Sequence, residues 1–306
     1  MLRDARLRMV ALLCVAALTV LGACSGDPAS VADDASNGAS ADNDPTPSPV
    51  EETDDAPSPS PEEESEEEAT GNLTFEVWFA KGRRLAPAFV TEEATPRVGS
   101  AALEALFAGP PSGEAKVYSA IPRDTRLNGL AIKGGTATVD LSSAYESGGG
   151  TASMGMRLGQ VTFTLTQFPT VKRVAFELDG EPVEIFSGEG LVIEKPLTRA
   201  DFEDISPPII LSRPRANSEV QSPVTISGTA NVFEATVSIR IVSATGEVLA
   251  ETFTTATCGS GCRGGYSEPV DLDVEEPTEA TILVFEQSAE DGSERFPVEV
   301  PVTLLP

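Results

Sequence analysis

A helix that runs directly into a β-hairpin, over residues 154–186, constrains the fold of this chain more than any other stretch. Its apolar residues first recur at helical spacing, at Met154, Leu158, Val161, Leu165 and Phe168. Pro169 prevents further helix, and the spacing then changes to strand alternation over 174–178. Asp179-Gly180 supplies a tight turn before the next apolar positions, Val183 and Ile185. We therefore expect one helix face to pack on one sheet face, with the rest of the domain closing over this unit.

The first 23 residues read as a lipoprotein signal peptide. A basic start with three Arg precedes a short apolar run from Met9 to Val20. The run ends in Leu21-Gly22-Ala23-Cys24, which matches the bacterial lipobox, where the Cys thiol takes a diacylglyceryl group. We expect acylated Cys24 to anchor the chain in the lipid bilayer, on the extracytoplasmic face of the cell membrane. The alternative is an ordinary signal peptide, or an uncleaved anchor, with an incidental Cys.

Residues 24–71 have the composition of a disordered acidic linker rich in Pro and Ser. They include fifteen Asp and Glu, no Lys or Arg, and no aromatic residue. A flexible coil of this length spans roughly 40 Å, and charge repulsion and Pro extend it further. The sequence therefore predicts a passive tether that holds the folded part away from the membrane.

The Cys and His content limits the chemistry of the folded part. After loss of Cys14 and lipidation of Cys24, Cys258 and Cys262 remain, and their spacing in TCGSGCRGG predicts a disulfide across a tight loop. A redox-active pair is the alternative. The chain contains no His, which excludes His-based catalysis and argues against a zinc site, because such a site usually has four ligands. We expect no metal and no cofactor.

The net charge of −27 excludes one further class of partner. The linker and the folded part are both net acidic, and neither looks like a nucleic-acid-binding protein, which would show a strongly basic patch or stripe. We expect no nucleic acid among the partners.

The first folded domain is predicted over residues 72–203. Alternation from Leu73 to Phe79 predicts an opening strand, followed by a second over 86–90 and a helix that starts at Thr95-Pro96 and stops at Gly109-Pro110. Two further strands flank Lys133-Gly134-Gly135, and SSAYESGGG reads as a flexible connection to the helix at 154. Two helices and about six strands predict an α+β sheet domain with the helices on one face.

Several segments of this domain resemble the GerMN domain of sporulation and germination lipoproteins. They are ALEALFAGP, SAIPRDTRLNGLAIKGGTATVDLSSAY, RLGQVTFTLTQFPTVKRVAFELDGEPV and GEGLVIEKPLTRADF, which cover most of 73–203. The resemblance implies a compact α/β fold similar to the ring-building motifs of secretion-system scaffolds. It also implies side-by-side assembly and no catalytic role.

Residues 204–306 are predicted to form an all-β domain that begins with a short Pro-containing joint at 204–207. Seven short alternating runs separated by turn signals such as Thr245-Gly246 and Asp291-Gly292 fit an immunoglobulin-like sandwich. The segments SPVTISGTANVFEATVSIRIVSATGEVL and VFEQSAEDGSERFPVEVPVTL resemble the immunoglobulin-like domain that accompanies GerMN in germination-type proteins. TCGSGCRGG departs from that pattern. The two VFE segments, at 232–234 and 284–286, predict either matching strands or a shared polar contact.

Two groups of carboxylates are the candidates for hydrolytic chemistry or Ca²⁺ binding. They are Glu177, Asp179, Glu181 and Glu184 around one hairpin, and Asp271, Asp273, Glu275 and Glu276 in DLDVEEP. Strand alternation places Glu177 on a wetted face, and DLDVEEP lacks a Ca²⁺-loop spacing. We expect these groups to be solvated charges.

Four residues are the candidate interface. Trp78 alternates with the core-facing Val77 and Phe79, which predicts that it points to the other face of the sheet, where a lone Trp is a common anchor. Arg157, Lys172 and Arg173 form a candidate basic patch for an acidic partner. The alternatives are a Trp78 covered by a loop or by the adjoining domain, and solvated basic side chains.

These observations predict a membrane-anchored, non-catalytic envelope lipoprotein. Its first domain would bind envelope proteins or itself, in sporulation, germination or cell-envelope assembly. One alternative is a module that binds cell-wall glycan or a small molecule in a cleft between the domains. The other is a carboxylate-dependent hydrolase, which needs two facing acids roughly 5–10 Å apart.

Overall fold

The structure, a computed structural model, describes residues 71–111, 116–188 and 190–306. They belong to one compact unit of the chain, Glu64–Pro306. The predicted signal peptide, the predicted lipidation site Cys24 and almost all of the predicted linker lie outside the described residues. Within the described part, none of the helices is both long and apolar enough to cross a bilayer.

The N-terminal domain is a mixed α/β structure, which confirms the predicted fold class. In chain order its elements are β1 (Asn72–Lys81), β2 (Arg84–Glu93), α1 (Val98–Ala108), β3 (Val117–Tyr118), β4 (Leu127–Lys133), β5 (Thr136–Leu141), a 3₁₀-helix (Ser143–Glu146), α2 (Thr151–Leu165), β6 (Arg173–Leu178), β7 (Glu181–Pro182), β8 (Ile185–Phe186), β9 (Leu191–Val192) and a 3₁₀ segment (Arg199–Ile205). The sheets have the strand orders β2-β1-β3, β4-β5-β6-β7 and β8-β9. Because β5 and β6 are parallel, the chain between them must cross over, and α2 makes that crossover.

Local turn chemistry sets two of the boundaries that the sequence indicated. Gly109 ends α1 with φ +96°, a left-handed backbone that favours glycine. Asp179 and Gly180 both have positive φ and join β6 to β7, with Leu178 paired to Glu181. This is the two-residue hairpin turn that Asp-Gly favours.

Helix α2 is buried on nearly all sides, which corrects the expectation of a single buried face. From Met156 to Leu165 every residue is buried, including Arg157, Gln160, Thr162 and Thr164. At Gly159 an added Cβ would lie 3.1–3.4 Å from side-chain atoms of Leu85, Phe202 and Ile205. The glycine therefore lets the helix approach β2 and the 3₁₀ segment closely, and α2 forms the centre of the domain.

Side chains from the α2 region satisfy backbone groups of β1 that would otherwise need another strand. Gln160 donates to the Trp78 carbonyl O (3.1 Å), and Thr164 Oγ1 accepts from the Trp78 amide N–H (3.0 Å). Gln167 accepts from the Glu76 amide N–H (2.8 Å) and donates to the Glu76 carbonyl O. Because buried backbone groups need partners, this polar row fixes the helix against β1.

The C-terminal domain is a β-sandwich, as predicted. Its strands are β10 (Ile209–Arg213), β11 (Ser218–Gln221), β12 (Val224–Ala230), β13 (Thr236–Ser243), β14 (Val248–Thr255), β15 (Gly264–Val270), β16 (Thr278–Gln287) and β17 (Glu294–Leu305). The two sheets have the orders β10-β12-β15 and β11-β17-β16-β13-β14. The seven predicted runs did not include β11, which pairs in parallel with the end of β17. The run predicted over 269–274 corresponds to β15, which begins five residues earlier, at Gly264.

The two VFE segments share a polar contact, one of the two outcomes predicted for them. Glu286 is buried, and its Oε2 accepts from the Phe233 amide N–H at 2.8 Å. Its Oε1 lies 3.1 Å from Nη1 of Arg295. The buried carboxylate therefore has a partner on each side, as a buried charge requires.

Glu203, Asn231 and Arg263 form a polar cluster between the two domains, which we call the joint clamp. Arg263 Nε lies 2.7 Å from Glu203 Oε2, and Arg263 Nη2 donates to the Pro207 carbonyl O at 2.7 Å. Asn231 donates to the other oxygen of Glu203 at 3.0 Å. Apolar packing adds to the clamp, because Ile210 of β10 joins the N-terminal core and Phe89 of β2 packs on the C-terminal core.

A disulfide joins Cys258 to Cys262, directly before Arg263, with their Cα atoms 5.7 Å apart. Within this loop the Gly261 amide N–H donates to Asn231 Oδ1 at 3.0 Å. The loop therefore contacts one member of the joint clamp and leads directly into another.

Candidate functional site

The four predicted interface residues do not form one surface. Lys172 and Arg173 are exposed at the start of β6, whereas Trp78 and Arg157 are buried. The prediction that Trp78 and Arg157 belong to an exposed interface is therefore wrong.

Trp78 is buried because both faces of β1 are covered. The residue is 1% exposed, and its ring packs edge-to-face on Phe163 of α2, with centroids 4.8 Å apart. Trp78 Nε1 donates to Glu76 Oε2 at 3.2 Å. Strand alternation placed Trp78 correctly on the opposite face from Val77, but α2 covers that face.

Arg157 is buried because it anchors two loops. Its guanidinium donates to the carbonyl O atoms of Ala120 (2.8 Å), Tyr145 (2.8 Å), Ser147 (2.9 Å) and Gly148 (2.7 Å). Burial lowers the pKa of the guanidinium, against an opposing effect of Tyr145. The segment SSAYESGGG, predicted to be a flexible connection, instead contains a 3₁₀-helix. The hydrogen bonds from the buried Arg157 guanidinium hold this segment in place.

The carboxylates proposed for hydrolysis or Ca²⁺ binding lie mostly on the surface. Asp179, Glu181 and Glu184 are exposed, and Glu177 is half-buried. Asp179 has a structural role, because it accepts hydrogen bonds from Ser143 and Asn128, and these bonds lower the pKa of its carboxyl. All four acids of DLDVEEP are exposed as well. No group of three or more potential metal ligands occurs in the part of the chain that the structure describes.

The strongest candidate site is a small cavity between the two domains, which we call the arginine cavity. It has a volume of about 180 Å³ and takes its charged side chains from both domains. The charged and amide side chains that line it are Glu76, Gln167, Arg199, Arg213 and Arg215. The alternative of a small-molecule site in a cleft between the domains named none of these side chains, although Arg213-Pro214-Arg215 is a local concentration of positive charge in an acidic chain.

Arg199 is positioned by neighbours that carry no formal charge. Its Nε donates to Thr166 Oγ1 at 2.8 Å, and its Nη2 donates to the Phe163 carbonyl O at 3.0 Å. The guanidinium also lies 4.8 Å from the Phe163 ring centroid and 5.4 Å from that of Trp78. Such stacking on aromatic faces is favourable for Arg. The side chain is thus held in place before any ligand arrives.

Glu76 is the acidic member of the cavity. It is half-buried, and burial raises the pKa of its carboxyl. Arg199, the hydrogen bond from Trp78 and Arg215 act in the opposite direction and only partly offset the burial. The ionised carboxylate is therefore less favourable in the folded protein than in water.

This raised pKa predicts that Glu76→Gln stabilises the protein at neutral pH. An acid whose pKa is raised on folding destabilises the folded state once it ionises. The free energy of unfolding therefore decreases as the pH rises above the pKa of the carboxyl in the unfolded chain, about 4.3. We expect the variant to have the higher free energy of unfolding at pH 7, and the difference to vanish in more acidic solution. Urea unfolding at several pH values measures it. A variant that is less stable at pH 7 would contradict the assignment.

Family comparisons agree with the two-domain architecture. Residues 75–184 match the family Germane, described as "Sporulation and spore germination". Residues 209–293 match the family Gmad2, described as "Immunoglobulin-like domain of bacterial spore germination". No curated protein matches the chain.

Solved structures similar to this chain include two of the sporulation protein GerM from Bacillus subtilis. Its first GerMN domain is 23% identical, with a TM-score of 0.37, over 42% of this chain and 99% of that one. Its tandem GerMN domains are 18% identical, with a TM-score of 0.39, over 76% of this chain and 60% of that one. From the two family matches, the chain is a GerMN-domain protein with a C-terminal immunoglobulin-like domain of the bacterial spore germination type.

Proposed function

We propose that this protein is a membrane-anchored envelope lipoprotein that acts as a non-catalytic scaffold, binding other envelope proteins or further copies of itself. The sporulation and germination families to which its domains belong suggest those processes, and cell-envelope assembly is the broader setting. The lipobox at Cys24 supports the membrane location. The predicted linker between the anchor and the folded domains would hold those domains away from the membrane.

The joint clamp is the observation that carries the scaffold role. A scaffold must hold its binding surfaces at a fixed separation, and inter-domain motion is the default when a joint lacks strong contacts. Here Arg263 contacts Glu203 and Pro207 across the joint. Arg84 adds a hydrogen bond to the Ser206 carbonyl O at 2.6 Å. These contacts favour a fixed arrangement of the two domains, in which each domain presents one binding surface.

Each domain has exposed apolar side chains that suit protein contacts. Ile185 and Val192 are direct partners across β8 and β9, and both are at least 60% exposed. On the sandwich, Phe253 of the edge strand β14 is 66% exposed. Apolar side chains at open strands are frequent points of protein association.

Site-specific photo-crosslinking in intact cells tests the proposal. A photoreactive phenylalanine analogue at position 185 or 253 should capture defined envelope proteins or a second copy of the chain. The same analogue at Thr245, an exposed turn residue, serves as the control and should capture much less. Equal capture from all three positions, or none from 185 and 253, would contradict the scaffold role.

The lipid anchor makes a separate prediction. We expect the mature chain to begin at Cys24 and to carry the added mass of acyl groups, as seen by mass spectrometry of the purified protein. Globomycin-type inhibition of the lipoprotein signal peptidase should leave a slower-migrating precursor. An unmodified mature chain that begins at another residue would exclude this anchor.

A further inference from the structure

The arginine cavity contains more positive charge than its own acid can neutralise. Arg199, Arg213 and Arg215 line it together with one carboxylate, that of Glu76. Since guanidinium groups remain protonated in proteins, an ionised Glu76 still leaves an excess of about two positive charges. Such an excess is unexpected in a chain of net charge −27.

Much of the donor capacity of these arginines is unused. Among the described residues, the side chains of Arg213 and Arg215 make no hydrogen bond or ion pair, and Arg199 has no carboxylate at salt-bridge distance. Each guanidinium offers five N–H donors in a planar fork that matches carboxylate and phosphate oxygens. The cavity thus combines one preorganised Arg with two exposed arginines, whose donors face water and are free to close on a ligand.

The size of the cavity limits what it can hold. At about 180 Å³, it is smaller than the roughly 300–1,000 Å³ typical of sites for drug-sized ligands. A chain of several sugars would not fit inside, whereas a single acidic group would. Of the ligands considered from the sequence, a small molecule therefore suits this cavity better than glycan.

We propose that the arginine cavity binds a small oxyanion group, a carboxylate or a phosphate, held by Arg199, Arg213 and Arg215 between the two domains. Because the ligand would contact the N-terminal domain through Arg199 and the C-terminal domain through Arg213 and Arg215, it would also strengthen the joint. This binding activity goes beyond the scaffold role and does not depend on it.

Fluorescence of Trp78 offers a direct test, because it is the one Trp of the chain and Arg199 lies over its ring. The full-length protein in detergent is titrated with inorganic phosphate and, separately, with citrate. Sodium chloride at matched ionic strength corrects for screening. We expect a saturable change with at least one probe, and the probe that binds more tightly identifies the phosphate or the carboxylate class.

Three variants establish where the probe binds. Arg213→Gln with Arg215→Gln should weaken binding about tenfold or more, since both charge-assisted hydrogen bonds and positive charge at the ligand are lost. Arg123→Gln with Arg126→Gln removes the same charge from exposed positions outside the cavity and should leave affinity within about twofold. Glu76→Gln should strengthen binding, because it removes a negative charge from the cavity.

The proposal is overturned if neither probe gives a saturable signal. It is also overturned if both double variants lose affinity equally, which would indicate general attraction to surface charge. Neither result bears on the scaffold role, because partner capture at positions 185 and 253 is measured independently.

Discussion

Replacing Arg157 with methionine is expected to lower the free energy of unfolding of the GerMN domain by about 3–5 kcal/mol. The residue is 4% exposed, and its guanidinium donates to four backbone carbonyl groups in two loops. Methionine keeps much of the side-chain volume but offers no donor. The carbonyl groups of Tyr145 and Ala120 would then lose a partner, and a buried unpaired polar group costs about 1–3 kcal/mol.

Urea unfolding followed by Trp78 fluorescence measures this loss in the relevant domain, because Trp78 lies in its core. Arg173→Met is the matched control, since Arg173 is exposed and, among the described residues, its side chain hydrogen-bonds only Thr136. We expect the control to change stability by no more than about 0.5 kcal/mol. Equal effects of the two substitutions would contradict the anchoring role of Arg157.

The second large effect is expected from Gln160→Leu, at about 2–4 kcal/mol of destabilisation. Gln160 is fully buried, accepts from the Ala120 amide N–H at 2.8 Å and donates to the Trp78 carbonyl O at 3.1 Å. Leucine has a similar volume, so packing changes little while both backbone groups lose their partner. The loss of stability should therefore come from unsatisfied hydrogen bonds rather than from a cavity.

Thr162→Val on the same helix is the control for Gln160→Leu. Thr162 is equally buried, but its Oγ1 has no hydrogen-bond partner in the described part of the chain. Valine has the same shape without the hydroxyl, so we expect unchanged or slightly higher stability. A comparable loss for Thr162→Val would mean that α2 tolerates no substitution, and the specific role of Gln160 would then be unsupported.

The sequence predicted the order of elements well, because periodicity and turn residues are local signals. The change from helical to strand spacing around Pro169, and the Asp179-Gly180 turn, appear in the structure as α2 followed by the β6–β7 hairpin. The alternating runs after residue 208 likewise predicted most strands of the sandwich. In each case neighbouring residues determine the element.

Burial was harder to predict, since it depends on which elements meet. Trp78 and Arg157 resemble surface residues by strand alternation and by charge, yet both contact the centre of the domain. One signal was available: Val77 to Ala80 is a continuous apolar run, which suits a strand covered on both faces. The arginine cavity brings Glu76 together with arginines more than one hundred positions later in the chain, so the local charge of Arg213-Pro214-Arg215 could not by itself reveal the site.

The central claim is that the two domains act as one anchored body that binds envelope proteins without catalysis. The most direct measurement compares the proteins captured by the photoreactive analogue at position 185 of the GerMN domain and at position 253 of the sandwich. Because the joint clamp fixes one domain against the other, the account predicts that both positions capture members of the same envelope assembly. Capture of unrelated proteins by the two positions, or of no protein by either, would contradict it.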